Sequence, residues 1–128
     1  MDSTGQQILV VEDNLALASV VRFNLERAGY KVSLASDGLD GWQQAQTTQF
    51  DLVITDQQMP IMSGCELCEK LRQTDAYEGV PIIMLTAKGL ELDLVRLQKE
   101  YGVTASFSKP FSPQQVIEAV GSHLNGDG

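Results

Sequence analysis

The chain has 128 residues, which is the size of one compact domain and leaves little room for a second catalytic or DNA-binding module. Leu, Ile, Val and Phe make up 36 of the 128 residues, about 28%, well above the ~20% below which chains fail to bury a core. The net charge of −8, with the nine Lys and Arg scattered from Arg22 to Lys109, offers no basic patch for a nucleic-acid backbone or an anionic membrane, so neither is expected as a direct partner.

The first residues, Met1-Asp2-Ser3-Thr4-Gly5, lack the basic and apolar regions of a secretory signal. No apolar run approaches the ~20 residues needed to span a bilayer. Two cysteines, Cys65 and Cys68, are too few for a disulfide framework. The expectation is a soluble, reduced, cytoplasmic protein. Residues 1–6 and 125–128 read as frayed ends around a core from about Gln7 to Leu124, with no repeat, low-complexity tract or linker, so residues 1–128 are expected to form a single domain.

In chain order, Ile8-Leu9-Val10-Val11 is a short apolar run of the kind that forms a strand buried on both faces. Leu17, Val21, Leu25 and Ala28 then recur at helical spacing, and Gly29 stands at the C-terminal cap position. Lys31 to Ala35 is a weaker strand candidate, followed by a helix carrying the lone Trp42. Leu52-Val53-Ile54 is a third strand. Ser63-Gly64-Cys65-Glu66 is a capping box opening the helix of Leu67 and Leu71. Ile82-Ile83-Met84-Leu85 and Ala105-Ser106-Phe107-Ser108 are the last two strand candidates. Ser112-Pro113-Gln114-Gln115 caps a final helix carrying Val116, Val120 and Leu124. Strand and helix alternate five times, which predicts one α/β domain with right-handed crossovers.

Ligands of such sheets bind beyond the carboxyl ends of the strands, where strand order reverses. The residues there are Glu12-Asp13-Asn14, Thr55-Asp56, Thr86-Ala87 and Lys109-Pro110. Glu12 and Asp13 could be solvated loop acids, with Asp13 or Asn14 capping a helix. Joined by Asp56, they form a set of carboxylates that repel one another unless a cation intervenes. An all-oxygen donor set of this kind suits Mg²⁺. Beside the metal, Asp56 is placed as a nucleophile toward phosphorus. Lys109 and Thr86 offer an ammonium and a hydroxyl to phosphoryl oxygens.

These residues resemble the receiver domain of response regulators, the class typified by the chemotaxis response regulator. The resemblance rests on Val11-Glu12-Asp13-Asn14, on Asp56 followed by Met59-Pro60 and Gly64, on Leu85-Thr86-Ala87 and on Ser108-Lys109-Pro110-Phe111. It covers about Gln7 to Leu124. It implies a flavodoxin-like doubly wound parallel sheet of five strands in the order 2-1-3-4-5, with five helices. It further implies Asp56 as phosphoacceptor and Mg²⁺ held by Glu12, Asp13, Asp56 and the Gln58 backbone carbonyl. Thr86 and Lys109 would contact the phosphoryl group, which a sensor histidine kinase or a histidine phosphotransfer protein would supply. The downstream protein partner is unspecified. Gln58 and Lys88, each two residues past a site residue, are placed to influence water attack on the acyl phosphate.

One position departs from the family pattern. Receivers commonly carry a Tyr or Phe three residues before the lysine as a switch ring; here that residue is Ser106, and the aromatic is Phe107. Strand alternation puts these two on opposite faces, with Phe107 in the core. The usual output face, formed by the fourth helix, fifth strand and fifth helix, would draw on about Gly89 to Tyr101 and Ser112 to His123. The chain reads either as a stand-alone receiver or as a piece of a longer protein.

Rival readings rest on less. Cys65-Glu66-Leu67-Cys68 has the spacing of a dithiol oxidoreductase, but as ordinary helix cysteines one would be buried and the other partly exposed. A receiver acting only as an interaction module, without phosphorylation, is a further alternative. His123 reads as a charge at a helix C-terminus, and Trp42 as a partly buried helix residue. An FMN-binding member of the same fold is excluded, because Glu12 and Asp13 would repel the flavin phosphate.

Overall fold

The computed structural model describes residues 5–87 and 94–124. Five parallel strands form one sheet: β1 (Gln7–Val11), β2 (Lys31–Ala35), β3 (Leu52–Asp56), β4 (Ile82–Thr86) and β5 (Ala105–Ser108). Their order is β2-β1-β3-β4-β5, with the flavodoxin-like arrangement expected. Five α-helices alternate with them: α1 (Leu15–Arg27), α2 (Gly38–Thr47), α3 (Gly64–Arg72), α4 (Leu94–Tyr101) and α5 (Pro113–Leu124). A 3₁₀ turn at Asp75–Tyr77 has no counterpart in the sequence pattern. None of the helices among the described residues is long and apolar enough to cross a membrane.

The apolar runs are continuous because both faces of the sheet are covered. Ile8, Val10, Leu52, Ile54, Ile83 and Leu85 pack on one face with Val21 and Leu25 of α1 and Val116 and Val120 of α5. The alternate residues Leu9, Val11, Val53, Ile82 and Met84 pack on the other face with Ala45, Leu67, Leu71 and Leu97 of α2, α3 and α4. Each fully buried Leu or Ile contributes about 1.5–3 kcal/mol relative to an exposed one, so these runs dominate the stability of the sheet.

The helix ends follow their local chemistry. Asn14 Oδ1 accepts from the Leu17 N–H at 3.1 Å, so Asn14 caps α1 and Asp13 is left to the site. Gly29, at φ 102, closes the far end of α1. Ser63 and Glu66 form the reciprocal capping box of α3. At α5 the Gln115 N–H points to Ser112 Oγ at 3.4 Å, a long capping contact.

Two polar side chains brace the loops at the opposite edge of the sheet. The Tyr77 hydroxyl accepts from the Phe50 N–H at 3.1 Å and faces the carbonyls of Thr48 at 2.7 Å and Ala45 at 2.9 Å. Arg72, at the end of α3, reaches the carbonyls of Tyr77, Val80 and Gly102 at 2.6, 2.9 and 2.6 Å.

Candidate functional site

Strand order reverses between β1 and β3, and the acidic residues lie at the carboxyl ends of these two strands. The sheet ladder continues just past the strand ends and sets the backbone there. The Glu12 N–H donates to the Ala35 carbonyl at 3.0 Å, Gln57 N–H to Leu85 at 2.9 Å, and Lys109 N–H to Thr86 at 2.8 Å. Asp56 and Thr86 are the last residues of β3 and β4, so their side chains stand on rigid strands at the edge of the cleft.

Glu12, Asp13 and Asp56 come together, with one carboxylate oxygen from each lying within 4.8 Å of the others. Glu12 and Asp56 are only 3% and 4% exposed, whereas Asp13 is open to solvent. Lys109 Nζ lies 3.1 Å from Asp56 Oδ2 and 3.3 Å from Glu12 Oε1. Glu12 Oε2 accepts from the Asn14 N–H at 3.1 Å. Among the described residues, no directed hydrogen bond reaches Glu12 Oε1 or Thr86 Oγ1. At Glu12 Oε1 the Lys109 ammonium stands at ion-pair distance.

The electrostatics reflect three acids facing one cation. Burial pushes the Asp56 carboxyl above its ordinary range; Lys109 opposes this and the Asp13 charge adds to it. Burial also raises Glu12, with the Asn14 N–H working against it and the Asp56 charge adding to it. For Lys109, burial acts downward, but Asp56 and Glu12 outweigh it and hold the ammonium above its ordinary value. A divalent cation fits this set: an all-oxygen donor group, an exposed Asp13 at the mouth, and a Glu12 oxygen with no directed hydrogen bond.

Thr86 is 1% exposed and is paired across the sheet with Ser108, next to Lys109. Gln58 is exposed in the turn after Asp56. Ser106 is in register with Met84, whose side chain belongs to the face covered by α2, α3 and α4. Phe107, in register with Leu85, packs on the α1 and α5 face. Lys88 and the stretch from Gly89 to Asp93 lie outside the described residues.

Gln57 and Gly64 complete the floor of the site. The Gly64 N–H donates to the Gln57 carbonyl at 3.0 Å, and a Cβ on Gly64 would fall on the Asp56 carbonyl oxygen. Gln57 Oε1 accepts from the Cys65 N–H at 2.9 Å, satisfying a free donor in the first turn of α3. No spacing rule reveals the Gln57 contact, which depends on how α3 docks against the end of β3.

The cysteines are ordinary helix residues, Cys68 buried and Cys65 half-buried. Burial pushes the Cys68 thiol up to about 12 and raises Cys65 as well. A reactive dithiol needs its thiolate favoured, so the oxidoreductase reading fails. Trp42 is half-buried against the α2–α3 side of the core, with the Lys70 ammonium 5.5 Å from its ring. His123 is exposed in the last turn of α5.

Residues 8–121 match the family described as response regulator receiver domain. The chain belongs to the response-regulator receiver family. It is 42% identical over 112 residues to the alkaline phosphatase synthesis transcriptional regulatory protein PhoP of Bacillus subtilis, covering 88% of this chain and 45% of that protein. It is 36% identical over 124 residues to the DNA-binding response regulator MtrA of Mycobacterium bovis, covering 97% of this chain and 53% of that one. The chain thus spans about half the length of the curated relatives it matches. Among solved structures, the chemotaxis protein CheY4 of Vibrio cholerae superposes with a TM-score of 0.86 at 31% identity, covering 93% of this chain and 98% of that one. The receiver domain of a Pseudomonas aeruginosa sensor histidine kinase, solved with a magnesium ion in its active-site cleft, gives 0.84 at 29%, covering 95% and 99%. The domain is the phospho-accepting receiver of two-component signalling.

Proposed function

We propose that this receiver is switched by transfer of a phosphoryl group to Asp56. The observation that carries the reading is the Lys109 ammonium bridging the Asp56 and Glu12 carboxylates inside the acidic cleft. An Asp56 oxygen attacks phosphorus of a phosphohistidine; the new O–P bond forms as the P–N bond breaks, and the imidazole leaves with its electron pair and takes a proton from water. Lys109, held in its charged form, turns from the carboxylates toward the incoming phosphoryl oxygens. Thr86 Oγ1, which has no hydrogen-bond partner among the described residues, donates to another of these oxygens.

Glu12, Asp13 and Asp56, with the Gln58 backbone carbonyl, would hold Mg²⁺. When bound, it supplies positive charge that offsets the phosphoryl oxygens and the clustered acids. The chain also reverses its own state: water attacks phosphorus, the acyl O–P bond breaks, and inorganic phosphate leaves Asp56 as a carboxylate. Gln58 is exposed beside that path.

The donor is a sensor histidine kinase or a histidine phosphotransfer protein, and the output is binding of a downstream protein. The net charge of −8 supports a receiver that itself touches neither nucleic acid nor an anionic membrane, and the reading is of a cytoplasmic single domain with its core at about 7–124. Incubation with acetyl phosphate tests the reading. Label should appear on Asp56 only with Mg²⁺ and be lost in Asp56→Asn; a wild-type chain that stays unlabelled with Mg²⁺ overturns it.

A further inference from the structure

The Lys109 side chain walls the acid site on one side and an apolar cavity on the other. Asn14, Leu17, Lys109, Pro110, Phe111 and Pro113 line a cavity of about 460 Å³ between the start of α1 and the loop from β5 to α5, within the size range of small-ligand sites. Lys109 is the only charged residue of these six, and four of the others are apolar. The same ammonium stands 3.1 Å from Asp56 Oδ2. Cavity and acid cluster therefore meet across a single side chain.

The fold sets these walls in advance. Leu17 and Phe111 are half-buried against the core face shared by α1 and α5. Asn14 is fixed by its capping bond from the Leu17 N–H at 3.1 Å. Pro110 and Pro113 hold the loop with a locked φ, and Pro113 occupies the first position of α5. An apolar group seated here orders little that is not already ordered, and it removes apolar surface from water at the mouth of a charged cleft. In-line attack by an Asp56 oxygen sends the leaving oxygen to the far side of phosphorus, towards that mouth. In an acyl phosphate the acyl carbon is bonded to this same oxygen, so its tail emerges beside the cavity.

We propose that this cavity is a subsite for the leaving group of small phosphoryl donors, selecting acyl phosphates with a linear apolar tail of several carbons over acetyl phosphate. The proposal rests on the phosphoacceptor reading of Asp56. The phosphoryl group lies at Lys109 and the tail lies against Leu17, Phe111 and Pro113. An Asp56 oxygen forms its bond to phosphorus as the bond from phosphorus to the acyl oxygen breaks. A fatty carboxylate leaves with the electron pair and needs no proton.

The test is labelling of the chain with Mg²⁺ by acetyl, butyryl and hexanoyl phosphate. Their leaving carboxylates have nearly the same basicity, so tail length varies at constant reactivity. The second-order rate constant should rise about tenfold from acetyl to hexanoyl phosphate, since full burial of one methylene is worth about fourfold and the cavity covers the tail from one side. Leu17→Gln and Pro113→Gln, each checked for folding by its melting temperature, should flatten the rise to about twofold. Val20→Gln, at an exposed position of α1 outside the cavity, should keep it. A rate that is flat or falls with tail length in the wild type overturns the proposal, whether or not the variants fold. So does a rise that both folded cavity variants leave intact, or that Val20→Gln abolishes. If none of the three donors labels the wild type, the phosphoacceptor reading falls and the subsite with it.

Discussion

Arg72 and Gly102 are locked together from both sides. Arg72 Nη2 donates to the Gly102 carbonyl at 2.6 Å, and a Cβ on Gly102, whose φ is 68°, would meet the Arg72 Nε. Nη1 meanwhile serves the carbonyls of Tyr77, Glu78 and Val80 at 2.6, 3.1 and 2.9 Å. One guanidinium thus ties the end of α3 to the segments entering β4 and β5. Arg72→Ala strands several carbonyls at once and should cost about 3 kcal/mol in urea denaturation. Arg72→Lys should recover less than half of this, since an ammonium cannot span the same fork.

Gly64 is required for space. A Cβ there would displace the Asp56 carbonyl and crowd the Gln57 Cα at 3.0 Å. Gly64→Ala should therefore cost about 2 kcal/mol in stability and slow labelling of Asp56 by acetyl phosphate about tenfold, since the acceptor moves with its backbone.

The acidic cluster opposes folding when no cation is bound. Asp13→Asn should raise the metal-free melting temperature by about 4 °C, and Mg²⁺ should raise that of wild type but add little to the variant. The pH dependence follows from the raised carboxyls of Glu12 and Asp56. The folded chain binds these protons more tightly than the unfolded chain, so metal-free stability falls as pH rises from the ordinary carboxylate range through their raised values. Calorimetry with chelator should show this slope and calorimetry with Mg²⁺ should flatten it.

The thiols should be inert in the folded chain. With Cys68 near 12, iodoacetamide at pH 8 should modify Cys68 only on unfolding, and Cys65 slowly. Insulin reduction should be absent.

Ser106 lies on the α4 side of β5, where receivers commonly carry a ring, and Phe107 packs on the other face. Phosphorylation should therefore shift the amide resonances of Thr86 and Ala87 more than those of Ser106 and Phe107. Equal shifts in NMR spectra would contradict this.

Much of the fold was legible because strands buried on both faces leave unbroken apolar runs. Three such runs located β1, β3 and β4 to within two residues at either end. The acids were legible because they follow the first two of those runs at once or after one residue, and Lys109 because it follows the strand candidate Ala105–Ser108; a parallel sheet gathers these strand ends at one edge. Arg72 and Tyr77 were not, since their value lies in carbonyls that belong to other loops. The Tyr77 hydroxyl serves backbone groups between Ala45 and Phe50, 27 to 32 residues earlier in the chain. Gln57 was hidden for the same reason: its contact depends on where α3 docks, and no periodicity encodes that.

The acids of the site all lie in the first 56 residues, while the ammonium that pairs with two of them arrives only with the end of β5, a four-residue edge strand whose residues are all half-buried. Detachment of that strand would break both ion pairs at once and leave three mutually repelling carboxylates behind it. Site occupancy and attachment of the sheet edge are therefore coupled: whatever neutralises the cleft lowers the electrostatic penalty of an open edge, and whatever loosens the edge strengthens the cleft's demand for a cation. In hydrogen-exchange terms, β5 should be the least protected strand, and its opening should be the first motion to respond to what the cleft contains.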